Sequence, residues 1–153
     1  MLDILLAKPV LIGLHLGFAI LGIDAFLWLA GEYAAGAISI KRRMIAAVLG
    51  LIGFIGSWVI GGYYYVKYYG PLVKPIIKEG LAPWAHAIAM EAKEHIFLLI
   101  VPLAITVLLA ARSSDQAIRR PAMWLAVLIA AIGLSLGAMG FIISAAARWG
   151  IAG

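Results

Sequence analysis

Apolar residues in this chain come in long unbroken runs, not at the three-to-four-residue spacing of a helix with one wet face. Four runs, at residues 9–30, 44–66, 91–111 and 122–147, approach or exceed the length of about 20 residues that a helix needs to cross a bilayer. In lipid the main chain must bond to itself, and segments this long and apolar do so as helices. The third helix is expected to begin before its apolar run, near Trp84. The fold class that follows is all-α and integral to a membrane: one domain, a bundle of four transmembrane helices, both termini on the same side. Trp28 and Trp124 fall near one expected interface, and Trp84 and Trp149 near the other, where tryptophan is enriched. The first run does not read as a signal peptide, being too long, preceded only by Lys8, and followed by no cleavage-type site.

Composition agrees. With 65% hydrophobic and 12% charged residues, 153 residues cannot assemble an ordinary soluble surface. The net charge of +5 would suggest nucleic acid in a soluble protein. Here the basic residues sit at the ends of apolar runs, so nucleic acid is discarded as a partner. The absence of cysteine removes disulfides, thiolate metal sites, iron–sulfur clusters and covalent haem. Lys41, Arg42 and Arg43 crowd the first connection, and Arg112, Arg119 and Arg120 the third. The positive-inside rule then puts those two short loops in the cytoplasm, and both termini outside it, in a bacterial or archaeal inner membrane.

The second connection, residues 67–84, mixes Val73, Ile76 and Ile77 with Lys74, Lys78 and Glu79, and follows tyrosines at 63, 64 and 65 with two more at 68 and 69. It reads as an interfacial segment with an aromatic belt, or as a docking or quinone-access surface. A weak internal repeat is also visible. His15 precedes Arg42 as His95 precedes Arg119, and Gly50, Gly53 and Gly56 find counterparts in Gly133, Gly137 and Gly140. Two pseudo-repeated helical hairpins are therefore expected, with the glycines serving helix packing. Gly13 and Gly17 form another such packing pair.

Ionisable residues in membrane spans default to function. His15 and His95 lie on the first and third helices, which run parallel, at depths that agree within roughly one turn at about 1.5 Å per residue. Two histidines at one depth on separate helices are the ligand set of a non-covalent b-type haem, with one imidazole on each face of the iron. Ala19 and Gly22, at i+4 and i+7 from His15, share its face and would admit a flat ring or another helix. His86 lies on nearly the opposite face from His95 and suits proton exchange, quinone contact or packing. Glu91 is four residues before His95, so a non-haem metal site of His15, Glu91 and His95 is the sharpest rival. Asp24 is expected to pair with the basic cluster at 41–43.

The His15 and His95 pattern, with Ala19 and Gly22 beside the first, resembles the small bis-histidine b-type cytochrome membrane subunits of respiratory complexes. The resemblance implies haem b, electron transfer between a quinone or partner subunit and an external carrier, and other membrane or cytochrome subunits as partners. It implies no catalytic residue, and a stand-alone enzyme is not expected. Two other classes are carried beside it: a cofactor-free accessory or assembly subunit, and a metal-binding or transport protein using His15, Glu91 and His95.

Overall fold

The computed structural model describes residues 2–36 and 39–149, and among these every regular element is helical. A short α1 (Leu2–Leu5) leads into α2 (Lys8–Ala34), and α3 (Ile40–Tyr64) returns antiparallel to it. The same helix continues through a π-helical stretch, π1 (Tyr65–Val73), and α4 (Lys74–Glu79). After a brief break, π2 (Ala85–Met90) runs directly into α5 (Glu91–Ala111), and α6 (Gln116–Trp149) closes the bundle. Four continuous helices, Lys8–Ala34, Ile40–Glu79, Ala85–Ala111 and Gln116–Trp149, are long and apolar enough to cross a membrane.

Local chemistry sets the boundaries at the end of the bundle that holds the two short connections. Gly36, at a φ of 71°, takes the left-handed position after α2, and the Ala35 and Gly36 N–H groups donate back to Gly31 and Tyr33. Ser39 caps α3 by accepting from the Arg42 N–H. Asp115 serves α6 in the same way, accepting at 2.9 Å from the Ala117 N–H. At the opposite end, Pro71 lacks an N–H and cannot continue an α ladder, and the helix widens to π geometry around it.

The middle is packed through aromatic rings and glycine. Phe26 and Phe54 are fully buried and stacked at 5.7 Å, with Phe97 edge-on to Phe54 at 6.4 Å. A Cβ at Gly53 would lie 2.5 Å from the Gly22 main-chain nitrogen, one at Gly50 2.5 Å from the Phe26 ring, and one at Gly56 2.5 Å from Phe18. So α2 and α3 meet main chain to main chain, as the glycine spacing predicts. The repeat is not matched in use: Gly133 receives Ile23, Gly137 faces open space, and Gly140 faces the Lys93 ammonium. Gly13 and Gly17 have nothing within 4 Å, so their packing face is turned away from the chain's own bundle.

Within the connection expected at 67–84, helix extends further than the polarity suggests. Residues through Glu79 stay helical, and Tyr69, Val73 and Ile77, spaced four apart, form a buried stripe against Ala85, Ala89, Ile143 and Ala146. Mixed polarity suggested an interfacial strip. The helical spacing of those three residues was the overriding signal.

Candidate functional site

The two ends of the bundle hold different chemistry. The end at which α2 begins and α6 finishes gathers the histidines and the tyrosines at 63–69. Tyr65 stacks on Tyr69 at 5.1 Å and Tyr64 on Tyr68 at 6.0 Å, the i, i+4 contacts of one helical face. The Tyr68 hydroxyl donates to the Leu6 carbonyl at 2.9 Å, tying the N-terminal segment to π1.

Tyr69 and His86 are at the centre of this end, 1% and 6% exposed. The Tyr69 hydroxyl and His86 Nδ1 are 3.0 Å apart, and the two π segments bring them together. π-helical turns recur where a helix must re-aim side chains at a site. His86 Nε2 faces Glu91 Oε1 at 4.0 Å, beyond direct hydrogen bonding but within reach of one bridging water. Glu91 is about half exposed, so the series Tyr69–His86–Glu91 runs from the interior to the surface. Glu94 and Glu91 both act electrostatically on Tyr65 and Tyr69. The Glu94 carboxylate lies beside the Tyr65 hydroxyl, with its Oε1 atom shut from solvent.

His15 is held elsewhere. Its Nδ1 lies 2.8 Å from the Ser57 carbonyl and 3.0 Å from the Ser57 hydroxyl, and its ring fills the space that a Cβ at Gly61 would take. Ala19 and Gly22 lie along the same helix; Gly22 is filled by the Phe54 ring, whose nearest atom would stand 2.9 Å from an added Cβ. The small residues beside His15 therefore admit a neighbouring helix and leave no open slot for a flat ring at Gly22. His95 is exposed on α5, and its Nδ1 lies 2.7 Å from the Glu91 carbonyl one turn back, the geometry of a ring N–H donating to its own helix. Thus the His15 ring packs against α3 while the His95 ring lies exposed on α5, each with its Nδ1 at a main-chain carbonyl.

Among the described residues no group of three or more His, Cys, Asp or Glu side chains is gathered to hold a metal ion, so the trio His15, Glu91 and His95 is not assembled. The Glu91 carboxylate points toward His86 instead of His95. Asp24 is exposed, and the carboxylate that meets the basic cluster is Glu32, 2.5 Å from Arg42 and also accepting from the Trp28 indole at 2.8 Å. Asp24 sits eight residues earlier, about 12 Å along the axis, too far from that cluster.

Lys93 was the residue that sequence reasoning passed over. The structure turns its ammonium inward, 3.3 Å from where a Cβ on Gly140 would stand and within electrostatic reach of His15. The available signal was the glycine opposite it on the fourth helix.

Comparison with family models, with curated proteins and with solved structures returns no match, so the functional reading rests on the chain's own residues.

Proposed function

We propose that this chain is an integral membrane subunit of a redox assembly, and that its terminal end exchanges protons with a quinone. The observation that carries the reading is the buried Tyr69–His86 hydrogen bond with Glu91 on the other side of the imidazole. A neutral imidazole has one donor and one acceptor nitrogen. With Tyr69 donating to Nδ1, His86 carries its proton on Nε2, toward Glu91. A proton given to Nδ1 is then matched by one released from Nε2 through water to the carboxylate, and the ring returns by exchanging tautomers. A quinol hydroxyl that donates to the Tyr69 oxygen can lose its proton as Tyr69 passes its own to Nδ1. The series then carries one proton to the surface, and the reverse sequence would protonate a reduced quinone. Electrons pass to or from partner subunits. Placement in a bacterial or archaeal inner membrane, with the arginine-rich connections cytoplasmic, belongs to the same proposal.

The test is a titration of the full chain in nanodiscs with a short-chain quinone, followed by quenching of Trp84, two residues before His86. Saturable quenching is expected, lost in His86→Gln, weakened in Tyr69→Phe and unchanged in His95→Gln. Absence of saturable quenching in the unmodified chain overturns the proposal.

A b-type haem on His15 and His95 is the second reading. One observation favours it: each ring has its Nδ1 engaged by a main-chain carbonyl, the arrangement that leaves Nε2 free for iron. An absorption spectrum of the haem-supplied protein, before and after dithionite, decides it. Sharp bands lost in both His15→Ala and His95→Ala support haem, and a colourless protein excludes it.

A further inference from the structure

The outer side of α2 carries a charge that the bundle leaves unpaired. Asp24 is the only Asp, Glu, Lys or Arg between Lys8 and Glu32. At about 1.5 Å per residue it stands about 24 Å from the first and about 12 Å from the second, well inside the apolar run. Its side chain is exposed, with no hydrogen bond or ion pair among the described residues. With the chain in a membrane, that side meets lipid or another helix, and a carboxylate in lipid is costly unless a partner meets it. Lysine and arginine reach the interface on long stems. Aspartate has a single methylene and stays at its own depth.

The surface around Asp24 allows close approach. Gly13 and Gly17 precede it on the same helix and Gly31 follows it. At about 100° per residue, all four lie within about 40° of arc on one side of α2. A Cβ at any of these three glycines would meet nothing within 4 Å. The glycines of α3 that face inward are different: Gly50 and Gly56 are filled by rings and Gly53 by main chain. Glycine weakens a helix interior, and on an outer side it contributes nothing unless another helix lies against it.

We propose that this side of α2 docks a membrane-spanning helix of another subunit, one that carries a lysine or arginine at the depth of Asp24. Charge selects the occupant. The cations near the connector end include Arg42, which is held by Glu32. Lys93, the one cation of α5, is turned inward toward Gly140. No outward-facing cation of this chain therefore stands at the depth of Asp24. A second copy docked through the same side would set Asp24 against Asp24, two like charges in lipid. A basic helix from another chain instead pairs the carboxylate and shields both charges from lipid. The proposal rests on the chain being a membrane subunit of a larger assembly, but not on quinone exchange. Quenching of Trp84 by quinone is read on the isolated chain and does not depend on what covers α2.

The test is photo-crosslinking of the full chain in the membranes of its own host. A photoreactive side chain is placed at Ile20 or Leu27, both exposed beside Asp24, or at Leu128, exposed on α6, as the control. Mass spectrometry of the product identifies the segment captured. The expected product joins Ile20 or Leu27 to a membrane-spanning segment of another protein, with a lysine or arginine within one turn of the crosslink. Leu128 should not give it. Asp24→Leu should lower its yield about tenfold, and Gly17→Leu should lower it by blocking close approach. A second arm follows energy transfer in vesicles from the chain, labelled through Ser114→Cys at an exposed site in a sequence without cysteine, to synthetic Leu–Ala membrane peptides. A peptide with one mid-span lysine should bind about tenfold tighter than one with leucine there, and Asp24→Leu should remove the difference. If Asp24→Leu fails to fold, Asp24→Asn, which keeps the size and drops the charge, decides by the same readouts. A crosslink to a second copy of this chain overturns the partner and identifies a dimer. Capture of lipid alone, a captured segment without a basic residue, or equal affinity for the two peptides overturns the proposal outright.

Discussion

The two ends of this bundle solve the problem of polar groups beside apolar helices in opposite ways. At the connector end, full charges are paired or capped locally: Arg42 with Glu32, Arg43 with the Ser113 carbonyl, Asp115 with the start of α6. At the terminal end, groups able to be neutral at ordinary pH are threaded together: Tyr69 with His86, His15 with Ser57, Tyr68 with the Leu6 carbonyl. Ion pairs anchor a helix end at a charged boundary. A chain of neutral donors and acceptors can instead pass a proton without leaving a bare charge buried. Helix geometry follows the same division, with capped α-helix at one end and π-helix, containing Pro71, at the other.

Both ends depend on the glycine contact between them, and breaking it has the largest expected effect. Gly53→Leu drives a side chain into the Gly22 main chain, which cannot yield as a flexible side chain would. It should cost about 3 kcal/mol or more, read as loss of the folding transition in detergent. The next effect is local to the terminal end. Tyr69→Phe leaves the buried His86 Nδ1 unpaired, a loss of roughly 1–3 kcal/mol by thermal or denaturant unfolding, while the connector end keeps its protection from hydrogen exchange. At the connector end, Arg42→Ala frees the buried Glu32 carboxylate. Arg42 itself is largely exposed and Glu32 keeps the Trp28 indole, so the loss should be about 1 kcal/mol. The smallest change runs the other way. Gly137 faces open space in the interior of α6, and Gly137→Ala should stabilise by up to about 1 kcal/mol through helix propensity alone.

How much of this was legible follows from what hydrophobicity encodes. Length and apolarity mark four helices, and even the early start of the third helix near Trp84 is readable. Glycine spacing marks Gly50, Gly53 and Gly56 as a contact face because only small residues let two main chains approach. Rotation about each axis is another matter. Lipid-facing and core-facing positions are both apolar, so no polar face shows which way His15 or His95 points. Depth matched them, and orientation separated them: His15 turns to Ser57, while His95 faces outward. The same limit hides that Glu32, not Asp24, meets the basic cluster, though counting residues to the helix end favours Glu32. In the Tyr-rich segment, charge obscured a helical stripe that Tyr69, Val73 and Ile77 spell out.

The central claim, that Tyr69 and His86 carry protons for a bound quinone, is tested most directly by redox-induced infrared difference spectroscopy of the protein with quinone in bilayers, in H2O and D2O. The account predicts tyrosine and imidazole bands that appear with quinone reduction, shift in D2O, and vanish in Tyr69→Phe and His86→Gln respectively. Bands that persist unchanged in both variants, or a quinone spectrum with no protein side-chain component, would contradict it.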